Sequence, residues 1–170
     1  MVTSIKWCCK QKSGIKIESS NDNLVKSYLK MAENAIGTMN RERNLNLQFA
    51  VSACYYSMYY SLYVVLMKFG IKCEIHSCTL KFMKQFLREL YSVEEVKTIN
   101  KACDIRETMQ YYADKVVQKS DIDVIMLQAP LFLNKSKSIL EKLNENDIKK
   151  IRNELEKICN NPTESVKKDT

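Results

Sequence analysis

The stretch "AVSACYYSMYYSLYVVLMKFGI", residues 50–71, decides the fold, because its only charge is Lys68 and no charge falls between Asn44 and Met67. At about 100° per residue, Tyr56, Tyr60, Tyr63 and Met67 share one helical face. Tyr55, Tyr59, Leu62 and Leu66 share the neighbouring one. A helix apolar on most sides is buried on most sides, in a bundle or in a bilayer. The length suits a membrane span of roughly 20 residues. Five tyrosines, three serines, Gln48 and two early asparagines instead give the run the polarity of a bundle core, without an anchor's flanks. The pattern predicts a buried helix from about Leu45 to Phe69, closed by Gly70, which is free to take the left-handed C′ conformation. No membrane contact is expected.

Working outward, residues 1–20 lack a sustained helical period. They read as an N-terminal arm, with short extended pieces around Ile5–Trp7 and Ile15–Ile17. Ser19–Asp22 supply N-cap chemistry for a helix whose Leu24, Tyr28, Met31, Ala35 and Met39 recur at steps of three and four. "NRERN" (40–44) interrupts that stripe. Beyond the central helix, Leu80, Met83, Leu87 and Leu90 predict a helix over about Ser77–Tyr91. Ser92 and Glu95 match a capping box, opening another helix that reaches about Val117. A helix over about Ile122–Leu143 contains Pro130, which should kink or split it. Ile148, Ile151, Leu155 and Ile158 mark a last amphipathic helix, about Asp147–Cys159. The expected organisation is an arm (1–20), one helical domain (21–159) and a flexible tail (160–170). Its fold class is all-α, an up-and-down bundle of five to six helices.

The formal net charge of +7 is compatible with RNA, DNA or an acidic protein partner. Much of it lies at the ends, in Lys6, Lys10, Lys12, Lys16, Lys167 and Lys168, which weakens it as a nucleic-acid signal. Seven cysteines without a signal peptide suggest a cytoplasmic protein with reduced, mostly buried thiols. Cys73-x-x-His76-x-Cys78 is the one cluster with ligand-like spacing. It lacks the second pair that a structural zinc site wants, so no metal is expected, and nothing points to a cofactor. His76 is the sole histidine, so any histidine-dependent triad must pass through it. No Gly-rich phosphate loop or hydrolase elbow accompanies it.

"CDIRETMQYYADK" (103–115) carries the other distinctive feature, an arginine placed among apolar helices. Arg106 can pair with Asp104, Glu107 or Asp114, or its planar fork can hold a phosphate. The tyrosine stripe can be core, subunit interface or a platform on which bases stack. Each buried phenol needs a partner, and the helix of Arg106 offers some.

Together, Cys54-Tyr55-Tyr56-Ser57-Met58-Tyr59, then Gly70 and His76, then Arg106-Glu107-Thr108-Met109-Gln110-Tyr111 resemble the HEPN superfamily. The similarity is to its large prokaryotic branch and covers about residues 22–143. The resemblance implies a helical bundle, commonly a homodimer, often encoded beside a small nucleotidyltransferase in a toxin–antitoxin or defence-type module. Active members are metal-independent endoribonucleases with Arg, four to six residues, then His. Here the three positions are Tyr111, Tyr112 and Ala113, and the branch's Ala-Asp before the tyrosine is Met109-Gln110. A phenol with a pKa near 10 is a poor base at neutral pH.

The expectation is therefore nucleotide or RNA binding. Arg106 would contact phosphate, with Tyr111 and Tyr112 lining the cleft, and Tyr56, Tyr59, Tyr60 and His76 completing it. Some partner nucleotidyltransferases modify a tyrosine near this motif, which makes Tyr111 or Tyr112 the analogous acceptor. The rival readings are a divergent endoribonuclease using Arg106 with Tyr111, helped by His76, and a purely structural dimeric interaction module.

Overall fold

A computed structural model of the chain describes residues 4–160. In order, the elements are α1 (Ile5–Lys10), β1 (Lys16–Ile17), α2 (Asp22–Glu42), α3 (Leu47–Phe69), β2 (Ile71–Lys72), α4 (His76–Phe86), α5 (Val93–Tyr111), α6 (Lys119–Lys142) and α7 (Glu145–Asn160). The protein is all-α apart from the two-residue strands, which pair antiparallel as Lys16 with Lys72 and Ile17 with Ile71. The tail expected over 160–170 lies outside the described residues beyond Asn160.

Helix α3 is the axis. It packs against α2, α5, α6 and α7, and from Ala50 onward only Tyr56, Tyr60 and Lys68 are part-exposed. It is long and apolar enough to cross a membrane, yet 78% of its most apolar window is buried by the other helices. Burying one large apolar side chain contributes roughly 1.5–3 kcal/mol, so this helix supplies much of the hydrophobic driving force. Asn46 caps its start, its side chain accepting from Phe49 N at 3.2 Å.

Its end is tightly made. Gly70 takes φ +68° and its carbonyl accepts from Glu18 N at 2.7 Å. The Arg152 guanidinium of α7 donates through Nη1 to Glu18 O (2.7 Å) and Phe69 O (3.0 Å). A Cβ on Gly70 would run into that carbonyl and that guanidinium.

Several boundaries differ from the sequence expectation. Ile5–Trp7 is helical, not extended: Ser4 caps α1 by accepting from Trp7 N at 3.1 Å, and Ile5 and Cys8 are buried. Six residues are too few to display a period, which is why the described residues hold seven helices instead of five or six. Helix α2 continues through "NRE" to Glu42. Helix α4 stops at Phe86, and the following turn, with Tyr91 N donating to Leu87 O at 2.8 Å, carries Leu87 and Tyr91 into the core. There the Tyr91 hydroxyl meets Ser136 Oγ of α6 at 2.7 Å. The capping box at Ser92 and Glu95 forms as expected. Helix α5 ends at Tyr111, not Val117; residues 112–116 are exposed, Val116 at 88%, and Val117 then packs part-buried against the core. Pro130 does not split α6, which runs unbroken from Lys119 to Lys142.

The cysteines give the largest correction. The expectation of reduced thiols fails at four of them. Cys8 pairs with Cys78 and Cys9 with Cys159, so adjacent residues of one short helix are tied to α4 and to α7. Cys54, Cys73 and Cys103 remain free and buried. The pairing also uses up Cys78 of the ligand-like cluster, and it removes the step that led from reduced thiols to a cytoplasmic location.

Two outcomes follow. Gly70→Ala should lower stability by about 1–3 kcal/mol, read as a fall in denaturation midpoint, since it combines left-handed backbone with two clashes. Thiol titration of denatured, unreduced protein should count three thiols; a count of seven, the full cysteine content, would rule out both disulfides.

Candidate functional site

Three phenols of α3 point into the core, and each finds a partner in one short segment. Tyr63 Oη accepts from Cys73 N at 3.0 Å. Tyr59 Oη meets Thr79 Oγ1 at 3.4 Å, and Tyr55 Oη meets His76 Nδ1 at 2.7 Å. A buried hydroxyl without a partner is expensive, so the α3 tyrosines dictate where residues 73–79 dock, and thereby fix His76 at the start of α4. The sequence had pointed to the Arg106 helix for these partners. That helix supplies one, the Cys103 thiol beside the Tyr55 hydroxyl, and sets the Arg106 cation over the same ring.

His76 is held on three sides. Its ring stacks on Tyr59 with centroids 4.1 Å apart at 12°, and meets Tyr56 edge-on at 6.1 Å. Burial, and next the nearby Arg106 charge, hold its pKa below the ordinary 6.5, with Glu107 pulling weakly the other way. Burial raises the Tyr55 phenol far above its usual range, so it stays protonated. The Tyr55 hydroxyl lies within hydrogen-bonding reach of both His76 Nδ1 and the Cys103 thiol of α5; where it donates to Nδ1, neutral His76 carries its proton on Nε2.

Arg106 approaches from α5. Its guanidinium carbon sits 5.0 Å from the centroid of the Tyr55 ring, whose OH holds His76, so the three groups form one assembly. The side chain is only 9% exposed. Nη1 donates to Gln110 Oε1 at 2.9 Å, and Nη2 to Glu107 Oε1 at 3.1 Å. Gln110 Nε2 then donates to Ser52 Oγ at 2.9 Å, which donates to Gln48 O, stitching α5 to α3. Nε is buried with no partner. A buried arginine must remain charged, so this missing bond is a conspicuous unmet demand.

An open cleft of about 340 Å³ lies between α4 and α5 beside this assembly. His76, Lys81 and Lys84 line it from α4, and Cys103, Asp104 and Glu107 from α5. Among the described residues, neither lysine forms an ion pair. Asp104 and Glu107 share one helical face, and burial followed by Glu107 raises the Asp104 pKa.

The structure thus brings together Arg106, His76, Tyr56 and Tyr59 of the expected site. Tyr60 stands one turn further along, stacked on Tyr56 at 5.6 Å. Tyr111 and Tyr112 stand apart, 71% and 47% exposed at the end of α5, with Lys115 Nζ 3.7 Å from the Tyr112 ring centroid. Five helical residues carry Tyr111 round to a different side from Arg106. Sequence reasoning underrated Tyr55, the group that links arginine to histidine, and gave no signal for Lys81 or Lys84.

No family model matches the chain. It is 35% identical over 129 residues to the protein named "Putative toxin MJ0142" of Methanocaldococcus jannaschii, an alignment that covers 69% of this chain and 87% of that protein. The chain belongs to the family of that archaeal protein.

Because His76 is the sole histidine, its ring can be followed by NMR without assignment. Its midpoint should fall below 6.5, and Arg106→Gln should move it upward by removing one of the two causes. Native His76 holds its proton more weakly than the unfolded chain does. Stability should therefore decline as pH falls through about 6.5, where the unfolded state protonates first.

Proposed function

We propose that this chain is a HEPN-like toxin-type protein that holds a phosphate of a nucleotide or RNA at Arg106. The observation that carries this reading is the buried guanidinium whose Nε lacks a partner, set beside the only histidine and a cleft with two unpaired lysines. A guanidinium fork suits paired phosphate oxygens, and Lys81 and Lys84 would add screened, longer-range attraction. Kinship with a protein named as a toxin supports a toxin–antitoxin-type role, with a nucleotidyltransferase as the partner the HEPN resemblance implies. In that setting Tyr111 and Tyr112, exposed beyond the cleft, are accessible acceptors for a modifying partner. A homodimer belongs to the same reading. Val124, Leu127 and Leu131 make an exposed apolar row on α6 of the kind a second copy covers.

One observation favours the second reading, a divergent endoribonuclease. The family's missing histidine has a spatial substitute, since His76 reaches the Arg106 assembly through Tyr55. Neutral His76 with its proton on Nε2 would serve as a donor to a leaving or bridging oxygen, and Arg106 as the counter-charge to phosphate.

Both readings meet one experiment, in which labelled single-stranded RNA is titrated with protein in chelator, with binding and cleavage scored together. Arg106→Ala should weaken binding at least about tenfold, the effect of losing a charged hydrogen-bonded contact. Cleavage that vanishes in both Arg106→Ala and His76→Ala would establish the nuclease. Binding untouched by Arg106→Ala would remove the site.

A further inference from the structure

We infer that Glu107 is the specificity determinant of the Arg106 site and makes it select terminal phosphate monoesters, on a nucleotide or an RNA end, over internal phosphodiesters. This rests on the phosphate-binding reading of Arg106.

The geometry of the guanidinium is the starting point. Nη1 faces Gln110, so the fork left for a ligand is the Nε–Nη2 edge. Glu107 occupies half of that edge: its Oε1 takes Nη2 at 3.1 Å, while Nε stays bare. As the next residue along the same helix, Glu107 covers Nη2 without serving both nitrogens in this arrangement. A ligand oxyanion with two free oxygens can serve both, which is the bidentate geometry that arginine favours.

Glu107 also stands in the way. Its side chain is 51% exposed and lines the cleft, whereas that of Arg106 is 9% exposed. An anion entering along the cleft meets the carboxylate first and must take its place on Nη2. A phosphodiester carries one unit of negative charge, so displacing the carboxylate gains it no charge at the guanidinium, and its advantage is limited to filling Nε. A terminal monoester carries about −1.5 to −2 at pH 7, with three strong acceptor oxygens. It therefore outcompetes the carboxylate and fills the bare Nε as well. The displaced Glu107 side chain already borders water, and on leaving it also releases the Cys103 thiol, whose Sγ lies 3.7 Å from the same Oε1. The surrounding charge favours the dianion too, since Arg106, Lys81 and Lys84 outnumber Asp104 and Glu107 by one.

The test compares one short oligoribonucleotide bearing a 5′-phosphate with the same sequence bearing a 5′-hydroxyl, by fluorescence anisotropy. Wild-type protein should prefer the phosphorylated probe by about tenfold. Glu107→Gln keeps the shape and the acceptor but removes the competing charge. Both probes should then bind more tightly, the hydroxyl probe gaining more, so that the preference shrinks to about threefold or less. Equal wild-type affinities that still depend on Arg106 would sink the inference and leave the phosphate-binding reading standing. A preference that survives Glu107→Gln would sink it as well. Failure of wild type and variant alike to bind either probe would bring down both.

Discussion

Three buried phenols on α3 are the constraint from which the site follows. Hydrophobic burial pulls α3 into the centre of the bundle, and the hydroxyls of Tyr55, Tyr59 and Tyr63 go in with it. Each must then find a hydrogen-bonding partner away from water. His76, Thr79 and the backbone N–H of Cys73 supply them. The turn after Gly70 and the first turn of α4 are thereby anchored on α3, and His76 is stacked against Tyr59. The histidine that borders the cleft is in the first instance a structural answer to a buried phenol.

Arg106 adds the opposite demand. Packed over Tyr55 among apolar helices, it would be costly without partners, and Gln110 and Glu107 meet most of that cost. The Gln110–Ser52–Gln48 chain ties the arginine to α3, the same helix that holds His76. The two side chains therefore share one rigid support, though 30 residues separate them in the chain. What the packing leaves unsatisfied is Nε of Arg106, buried behind the Glu107 carboxylate's partner Nη2 on the same guanidinium. In the HEPN-like reading this is the place for ligand charge. In a purely structural module the same bare N–H would be an uncompensated cost with no return.

Much of the architecture was legible in the sequence because it depends on short-range rules. The charge-free run announced α3, Gly70 its left-handed end, and Ser92 with Glu95 the capping box of α5. Boundaries failed where tertiary packing overrode local pattern: α4 breaks at Phe86 so that Leu87 and Tyr91 reach the core. Helix α1 escaped notice because six residues carry no period, and its cysteines seemed unremarkable as thiols. The candidate site was half legible. Arg106 and His76 stood out by type and by family resemblance, but Tyr111 was drawn in by linear spacing and stands instead on the exposed end of α5.

By itself, the sequence determined that the chain is all-α, that α3 is its axis, and that Arg106 is an awkward charge needing a counterpart. These are consequences of periodicity, capping and solvation, each readable within a few residues. Only the tertiary structure decided which cysteines meet, which phenols are buried, and that the arginine's neighbours are Tyr55, Glu107 and His76 rather than Tyr111. The physical reason is that hydrogen-bond satisfaction and disulfide pairing depend on distances across 10 to 150 residues of chain, which helical periods do not encode.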